Sequence, residues 1–437
     1  MRVSTHQLCM SQKNPQKNIV LFVAFSPPLI ESSLREYKDS PESTGQTLAL
    51  LYQNKATTKE QKGVLDQFDL TIRCNLNSSR AITRALKPYE DQFLAVTCRS
   101  EVNIPAFQKV IPHLPYLRTP TTESLDWATH KLKMRRRFAS YDRSITPNFM
   151  VVDNAQKKTI KDIEGKIGFP LVIKPVGLST SLLVNIAYHH EELEQSLKRI
   201  FRTIRRVHKE MNGRGEPQVL VEQFIDGDMY TVDVHVGSRG AVYFNPFVHV
   251  KTGKTVGFDD FFAYQTTTPT NLNKTSIEDA RETSIKAVKA LGLRSTTAHI
   301  ELLKTEEGWK VIEVGPRLGG FRPEMYKLSY GINATANDIF TRIPEKLSIP
   351  KRVKGHTAVI KIYPEKEGVI TNIVGAKKAQ ELTSFYGIKV NKQIGDRALF
   401  AKHGGKEIFR VTLFNEDRSK LLADIRRLEK TVKVNTE

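Results

Sequence analysis

Residues 299–320 read "HIELLKTEEGWKVIEVGPRLGG" and contain two apolar, strand-like runs. The first run is Ala298–Lys304 and the second is Trp309–Val314, and a short loop that ends in glycine separates them. Two β-rich runs joined by a loop of this kind predict an antiparallel hairpin. Each run carries a glutamate, Glu301 in the first and Glu313 in the second, so the hairpin would hold two carboxylates among apolar neighbours.

The predicted register places these two carboxylates side by side. If the loop consists of residues 306–308, Leu303 lies opposite Val311 and Glu301 lies opposite Glu313, whereas a two-residue loop would shift the register. Like charges opposite each other destabilise a sheet, and Mg²⁺, which prefers carboxylate oxygen, would remove the repulsion. The hairpin therefore predicts a metal site. The alternative is a solvent-facing pair, each acid held by a nearby lysine or arginine.

An arginine follows the second strand in "GPRLGG", residues 315–320. Arg317 lies between glycines, where the backbone can approach an anion closely. Two acids that hold a metal, followed by an arginine, suit phosphoryl transfer, because Mg²⁺ bridges phosphates and the guanidinium stabilises developing charge. The alternative is that this segment is only a turn.

Two earlier segments suit a nucleotide. "PLVIKPVGLSTS", residues 170–181, places Lys174 at the end of an apolar strand, where a desolvated ammonium needs an anion. The loop behind it can offer backbone N–H groups and hydroxyls to a phosphate, although a lysine that snorkels to solvent is the alternative. "VLVEQFIDG", residues 219–227, is a strand that loses its regularity at an acid and can offer backbone groups to an adenine ring. An ordinary exit into a turn explains that pattern equally well.

Taken in order with "THKLKMR" at 129–135, these segments resemble the ATP-grasp superfamily over residues 126–345. In that superfamily, two α+β subdomains hold ATP between them. The resemblance implies that Lys131 and Lys174 converge on the ATP phosphates and that Arg317 stabilises the transferring phosphate. It assigns Mg²⁺ (or Mn²⁺) to the two hairpin glutamates. The nucleoside contacts that it implies are Glu222, Gln223, Phe224, Ile225 and Asp228.

The chain departs from the superfamily pattern at three places. The phosphate loop has a single glycine, Gly177, and Met229 occupies the usual position of the ribose-binding acid, with Asp228 beside it. Gly315 stands where an asparagine often follows the second metal ligand. The first two departures leave a weak or inactive nucleotide-binding scaffold open as an alternative.

The implied activity is that of an ATP-dependent carboxylate–amine ligase that resembles amino-acid ligases. The expected substrates are a small-molecule carboxylate and amine, with amino acids as candidates and Arg322 as a candidate for the substrate carboxylate. A surface arginine is the alternative for Arg322. A ligase that acts on a peptide or protein tail is the second enzymatic interpretation. We expect the loop at residues 176–181 to cover the site, because an acyl phosphate exposed to water is lost.

Composition limits the class of protein. The 437 residues are 39% hydrophobic and 26% charged, as in an ordinary globular protein of roughly three domains. The net charge of +20 raises a nucleic-acid hypothesis, but the densest basic run, residues 198–215, reads as an amphipathic helix with a solvated face. Nucleic acid is therefore the less favoured partner. Three distant cysteines and the lack of a long apolar run indicate a reducing, cytoplasmic location without a membrane span, and a homodimer is a candidate assembly.

The predicted fold class is α/β and α+β, an ATP-grasp fold with an N-terminal parallel α/β domain and a small C-terminal lobe. The predicted domains are a tail at 1–17, the α/β domain at 18–122, the ATP-grasp domain at 123–347 and the lobe at 348–437. In the α/β domain, strand-like runs at 18–25, 68–76 and 92–98 alternate with helical stretches. Two further helices are predicted, one over residues 126–144 and one that starts at a capping box from Ser276 to Asp279.

Overall fold

The chain divides into two compact units. The first consists of Met1–Thr119 with Arg342–Pro344, and the second of Pro120–Thr341 with Glu345–Glu437. The computed structural model describes residues 17–24, 27–38, 40–53, 58–176, 183–210, 216–258 and 260–437. Nearly all of the predicted tail, and all but Val176 of the predicted covering loop, therefore lie outside the described residues.

The first unit is built on a parallel four-stranded sheet of order β3-β2-β1-β4. Its strands are β1 (Ile19–Val23), β2 (Thr47–Tyr52), β3 (Leu70–Arg73) and β4 (Phe93–Thr97). Its helices are α1 (Pro27–Lys38), α2 (Lys59–Leu65), α3 (Ser79–Leu86) and α4 (Ile104–Val110). Every residue of β1 is buried, which explains its unbroken apolar sequence. The predicted parallel α/β arrangement is confirmed, but β2 was missed, because a short apolar run has no diagnostic periodicity.

The described residues of the second unit form three sheets. A four-stranded antiparallel sheet has the order β5-β8-β6-β7, and a nine-stranded sheet runs β14-β13-β9-β11-β12-β15-β19-β17 with β10 attached to β9. A small sheet has the order β18-β16-β20. The strands are β5 (Phe149–Val152), β6 (Leu171–Pro175), β7 (Asn185–Ala187), β8 (Val219–Gln223), β9 (Asp228–Val236), β10 (Val242–Phe244), β11 (Val248–Thr252), β12 (Ala263–Thr268), β13 (Thr296–Thr305), β14 (Gly308–Gly315), β15 (His356–Ile362), β16 (Gly368–Val374), β17 (Phe385–Val390), β18 (Arg397–Ala398), β19 (Phe409–Asn415) and β20 (Lys433–Thr436).

Helices pack against these sheets through hydrophobic clusters. They are α5 (Thr122–Thr129), α6 (Lys131–Tyr141), α7 (Lys157–Lys166), α8 (His190–Glu210), α9 (Lys274–Ala290), α10 (Arg322–Tyr330), α11 (Ala334–Phe340), α12 (Ala376–Ala379) and α13 (Arg418–Thr431). The predicted basic helix is α8, which buries Leu193, Leu197, Ile200 and Ile204 and leaves its arginines at the surface. Within the described residues, no helix combines the length and the apolar composition that crossing a bilayer requires.

Strands β15, β17 and β19 come from the predicted C-terminal lobe and continue the nine-stranded sheet beyond β12. They also pack with α13 in a hydrophobic cluster of their own. The predicted boundary near residue 347 therefore falls within one continuous sheet, and the division of the second unit into two domains stays a prediction.

Two helix predictions differ from the structure, one by an interruption within the helix and one at its first residue. The single helix predicted over residues 126–144 is two helices, α5 and α6, separated by His130, whose φ of −115° and ψ of 103° interrupt the helical backbone. Helix α9 begins two residues before Ser276, because the side chain of Asn273 accepts a hydrogen bond from the Ser276 amide and serves as the N-cap. The helix ends at Ala290, shortly before Gly292, which has a φ of +61°.

Candidate active site

The hairpin of β13 and β14 pairs Glu301 with Glu313, as predicted, but its turn and its strand register differ from the predicted ones. The connecting turn is one residue shorter than expected, so Thr305 lies opposite Gly308 and Leu303 lies opposite Lys310. That register alone would oppose Glu301 with Ile312. A β-bulge between the Glu301 and Leu302 pairs shifts the register by one residue and restores the pairing of the glutamates.

Arg135 of α6 holds the backbone of this bulge. Its guanidinium donates from Nη1 to the carbonyl of Val311 at 2.9 Å and from Nη2 to the carbonyl of Ile312 at 2.8 Å. Its Nε also donates to Glu222 Oε1 at 2.6 Å. One buried side chain therefore connects a helix, the bulge of the hairpin and the end of β8.

Glu222, the acid predicted at the end of β8, faces the protein interior. Lys174 Nζ on β6 lies 2.6 Å from Glu222 Oε2, so the carboxylate accepts from Lys174 and Arg135 together. Burial alone would raise the pKa of Glu222, but the two positive charges outweigh burial and lower this pKa to about 2. Glu222 is therefore ionised, and it holds Lys174 at the end of its strand.

A single pocket contains most of the predicted phosphate-binding groups. Lys131 and Lys174, far apart in the sequence, both line it. Its remaining lining residues are Met134, Arg135, Glu222, Ile312 and Glu313. Lys131 Nζ lies 3.8 Å from Glu313 Oε1. The interruption at His130 starts a new helix at Lys131, so this lining residue is the first residue of α6.

The carboxylates of Glu301 and Glu313 are accessible as well as adjacent, since the side chains retain 33% and 36% of their exposure. The partial burial of Glu301 and the charge of Glu313 raise its pKa, while His299, Arg317 and Arg322 act in the opposite direction. A divalent cation would relieve the repulsion, so this donor set fits Mg²⁺, which takes a few carboxylates and completes its coordination with water and phosphate oxygens. Within the described ranges, no cluster of three or more His, Cys, Asp or Glu side chains could hold a metal by itself.

Asp233 and His299 form a buried pair beside Glu301, and the sequence analysis missed both. Asp233 is fully buried on β9, and its carboxylate accepts from His299 Nδ1 at 2.5 Å and from the Gly319 amide at 3.0 Å. The other ring nitrogen, Nε2, lies 3.8 Å from Glu301 Oε1. The histidine at the start of the quoted stretch thus links a buried acid to a candidate metal ligand.

Gly319 is held in a space that admits no side chain. A Cβ at this position would lie 2.7 Å from His299 Nδ1 and 2.5 Å from Arg322 Cγ. We expect Gly319→Ala to displace both side chains, to lower the turnover of ATP at least ~10-fold and to cost about 1–3 kcal/mol of stability. Gly320→Ala is the matched control, because no atom lies within 4 Å of its added Cβ. Equal turnover in the two variants, measured as ADP release, would show that the packing of Gly319 is not important for the site.

The predicted adenine-binding segment is already partly engaged with the protein. The amide of Gln223 donates to the carbonyl of Asn148 at 2.9 Å, and the amide of Phe224 donates to the carbonyl of Pro170 at 3.0 Å. Within the part of the chain that the structure describes, the amide of Ile225 donates to no protein acceptor. Of these three amides, that of Ile225 is therefore the one available to a ligand.

The candidate ribose ligand lies at the start of β9. Asp228 is exposed and pairs with Lys304 of β13, whereas Met229 is half-buried and pairs with Leu303. Because successive residues of a strand project to opposite faces, the side chains of Asp228 and Met229 point away from each other.

The two candidate arginines differ in their surroundings. Arg317 is half-buried, and its guanidinium donates to the carbonyl of Leu318 at 3.0 Å. Arg322 is only 5% exposed, and its Nε donates to Thr231 Oγ1 at 3.0 Å. The alternative of a surface arginine at position 322 is therefore wrong. Arg322 is the first residue of α10, and Thr231, to which it donates, pairs with Glu301. The buried guanidinium therefore lies on the face of the sheet that carries Glu301.

Comparisons with known proteins bear on the family and the fold of this chain. The sequence model of the ATP-grasp domain family matches residues 167–324. The L-amino acid ligase from Bacillus licheniformis has a similar structure, with a TM-score of 0.74 and 19% identity over 97% of this chain and 99% of that one.

Two curated relatives are each 26% identical. The uncharacterized protein y4rH of Sinorhizobium fredii aligns over 62% of this chain and 53% of its own length. The alanine–anticapsin ligase of Bacillus amyloliquefaciens aligns over 52% of this chain and 49% of its own. The chain therefore spans about half the length of these relatives.

Proposed function

We propose that this chain, which belongs to the ATP-grasp superfamily, is an ATP-dependent carboxylate–amine ligase. One observation supports the proposal above the others. Lys131, Lys174 and Glu313 line the same pocket, and Glu313 lies directly across the hairpin from Glu301. Two cations and two carboxylates in this arrangement suit a triphosphate bound with a divalent metal.

In the proposed reaction, a carboxylate oxygen of one substrate attacks the γ-phosphorus of ATP, and ADP leaves. The amine of the second substrate then attacks the acyl carbon, and phosphate leaves. Bound Mg²⁺ would neutralise phosphate charge in the first step. Lys131 and Lys174 hold the phosphates, and Arg317 stabilises the charge that develops on the transferred group.

Small molecules are the proposed substrates. The names of two similar proteins, an L-amino acid ligase and an alanine–anticapsin ligase, support amino acids as substrates. The burial of Arg322 next to the metal-binding face also suits the recognition of a carboxylate.

The test of this function is a release assay for ADP and phosphate. The protein is incubated with MgATP and with amino acids, singly and in pairs, and the amide product is identified by mass spectrometry. We expect ADP release that needs both a carboxylate and an amine. Firm ATP binding without any amide product across the panel would contradict the proposal and would favour a nucleotide-binding scaffold.

Removal of either phosphate-binding lysine should weaken ATP binding. We expect Lys131→Met and Lys174→Met each to raise the Kd for MgATP at least ~10-fold, because each removes a charge-assisted contact worth about 1.5–3 kcal/mol. Lys133→Met is the control, since this lysine lies on the same helix and pairs at 2.6 Å with Asp126 at the surface. Calorimetric titration gives the three constants, and unchanged affinity in both test variants would show that the pocket does not bind ATP.

A further inference from the structure

One face of the nine-stranded sheet carries opposite charges at its two ends. Side chains of directly paired residues project to the same face, so the face can be followed from strand to strand. Glu301 pairs with Thr231, and Thr231 pairs with Val248. Val250 shares the face of Val248, because it lies two residues further along the strand, and it pairs with Thr266, which pairs with Val359. Lys361 shares the face of Val359 in the same way and pairs with Arg410. The face that carries the acid pair on β13 and β14 therefore carries a pair of cations on β15 and β19, one strand before its far edge at β17.

Lys361 and Arg410 lie directly opposite each other, and Arg322 approaches them from α10. All three surround the ring of Phe321, with Arg322 at 4.6 Å, Arg410 at 4.9 Å and Lys361 at 5.4 Å from its centroid. We call Arg322, Lys361 and Arg410 the basic cluster. Like charges paired across two strands destabilise a sheet, as the two glutamates do at the other end.

The protein leaves the charge of the basic cluster largely uncompensated. Within the described ranges, no carboxylate lies within 4 Å of a charged nitrogen of any of its three residues. Glu407 and Glu301 act on Lys361, and Asp233 and Glu301 act on Arg322, only from a longer distance. Burial lowers the pKa of Lys361 and that of Arg322, which means that the positive charges are held there at a cost. An anion between them would remove this cost.

Charge balance indicates what kind of anion fits. In the proposed function, Lys131, Lys174 and Arg317 serve the phosphates of ATP, so the three charges of the basic cluster remain for the other substrate. The single α-carboxylate of a neutral amino acid would compensate one of them. A phosphate monoester, or two carboxylates on one molecule, would compensate about two, which better satisfies the rule that half-buried charges are paired.

We propose that the basic cluster binds a second anionic group, a carboxylate or a phosphate, of an acidic small-molecule substrate. The proposal rests on the proposed ligase function and specifies its substrate class. The charged ends of all three side chains lie over or beside the ring of Phe321, so the ring holds them together through cation–π contacts.

The test compares amino acids that differ in one charge. Glutamate is compared with glutamine, aspartate with asparagine, and phosphoserine with serine, each combined with a common amine or carboxylate and MgATP. We expect the acidic member to have at least a ~10-fold higher kcat/KM, because a charge-assisted contact contributes about 1.5–3 kcal/mol. The glutamate and phosphoserine arms distinguish a carboxylate from a phosphate.

Variants of the basic cluster test whether it recognises the extra negative charge of the acidic substrate. Lys361→Gln and Arg410→Gln should each raise KM for the acidic member at least ~10-fold while KM for ATP stays the same, and Lys361→Arg should restore most of the loss. Lys389→Gln is the matched control: Lys389 pairs with Arg410 in the same row but is exposed at the far edge of the sheet. Equal turnover of acidic and neutral members, unaffected by Lys361→Gln, would overturn the inference and leave the ligase function standing.

Direct binding separates the two proposals if no pair of substrates is turned over. Glutamate and phosphoserine are titrated calorimetrically into the parent protein and into Lys361→Gln and Arg410→Gln, whose folding is checked by thermal unfolding. Binding that both variants weaken at least ~10-fold would support the anion subsite while the ligase function fails. No binding of either compound to the folded parent protein would overturn the subsite.

Discussion

Replacing Glu301 or Glu313 by glutamine is expected to reduce Mg²⁺-dependent ATP turnover by a factor on the order of 10² to 10³. This is the range seen when one charge-stabilising group of an active site is removed. The physical reason is that two adjacent carboxylates create a place for a divalent cation, and a neutral amide in either position removes half of the compensating charge. Turnover is measured as ADP release at saturating ATP over a range of Mg²⁺ concentrations.

The same substitutions should have an opposite effect on the metal-free protein. Burial and, after it, the charge of Glu313 raise the pKa of Glu301, so the two carboxylates repel each other. We therefore expect Glu301→Gln to unfold at the parent temperature or above it without Mg²⁺, and to lose the stabilisation that Mg²⁺ confers on the parent. Glu307→Gln is the control, since this residue lies on the same hairpin with its side chain 81% exposed. Full turnover in both test variants would refute the metal site.

Replacing Arg135 by methionine is expected to lower the free energy of unfolding by about 3–5 kcal/mol, the usual cost of removing one partner from a buried ion pair. Glu222 would keep only Lys174 as a counter-charge, and the carbonyls of Val311 and Ile312 would lose their donor. Urea-induced unfolding measures the loss. Arg136→Met is the control, because Arg136 is the next residue of the same helix and is exposed.

The stability that Glu222 provides should depend on pH in a definite direction. Its pKa of about 2 lies below the ordinary value of 4.5, so its contribution is complete above pH 4.5 and is lost as the pH falls toward 2. Above pH 4.5 the difference between Arg135→Met and the parent should therefore be constant, and toward pH 2 it should shrink. A variant as stable as the parent at pH 7 would show that the pair is not needed to hold the hairpin.

The glutamate pair could be predicted from the sequence, but the register that produces it could not. The two apolar runs and the glycine between them were sufficient to place a hairpin, and Gly308, with a φ of +105°, does end the turn. The turn is one residue shorter than predicted, whereas the bulge at Ile312 inserts one extra residue into β14. The two deviations therefore shift the strand register by one residue in opposite directions. The predicted pairing was thus correct although the predicted loop was wrong, because two local deviations cancel.

Arg135 could have been found from helical spacing. It lies three residues after Leu132 and three before Phe138, both buried, so it falls on the inner face of α6. Three consecutive arginines at 135–137 hide this position, because composition alone does not distinguish a buried guanidinium from its exposed neighbours. His299 and Asp233 were missed for another reason: their contact joins different strands, and only the sheet register shows it.

The bulge at Ile312 has a consequence for how this hairpin is compared across related chains. A sequence alignment matches residues by their order in the chain, whereas strand pairing matches residues across the sheet. In this hairpin the bulge leaves one residue of β14 without a partner, so the two ways of matching differ by one residue. A relative with one more residue in the turn and no bulge would bring the same two acids together, yet its alignment would show an insertion in the loop and a deletion within the strand. Such paired gaps mark a conserved geometry, so residues in this region are better matched by their distance from the acids than by their distance from the turn.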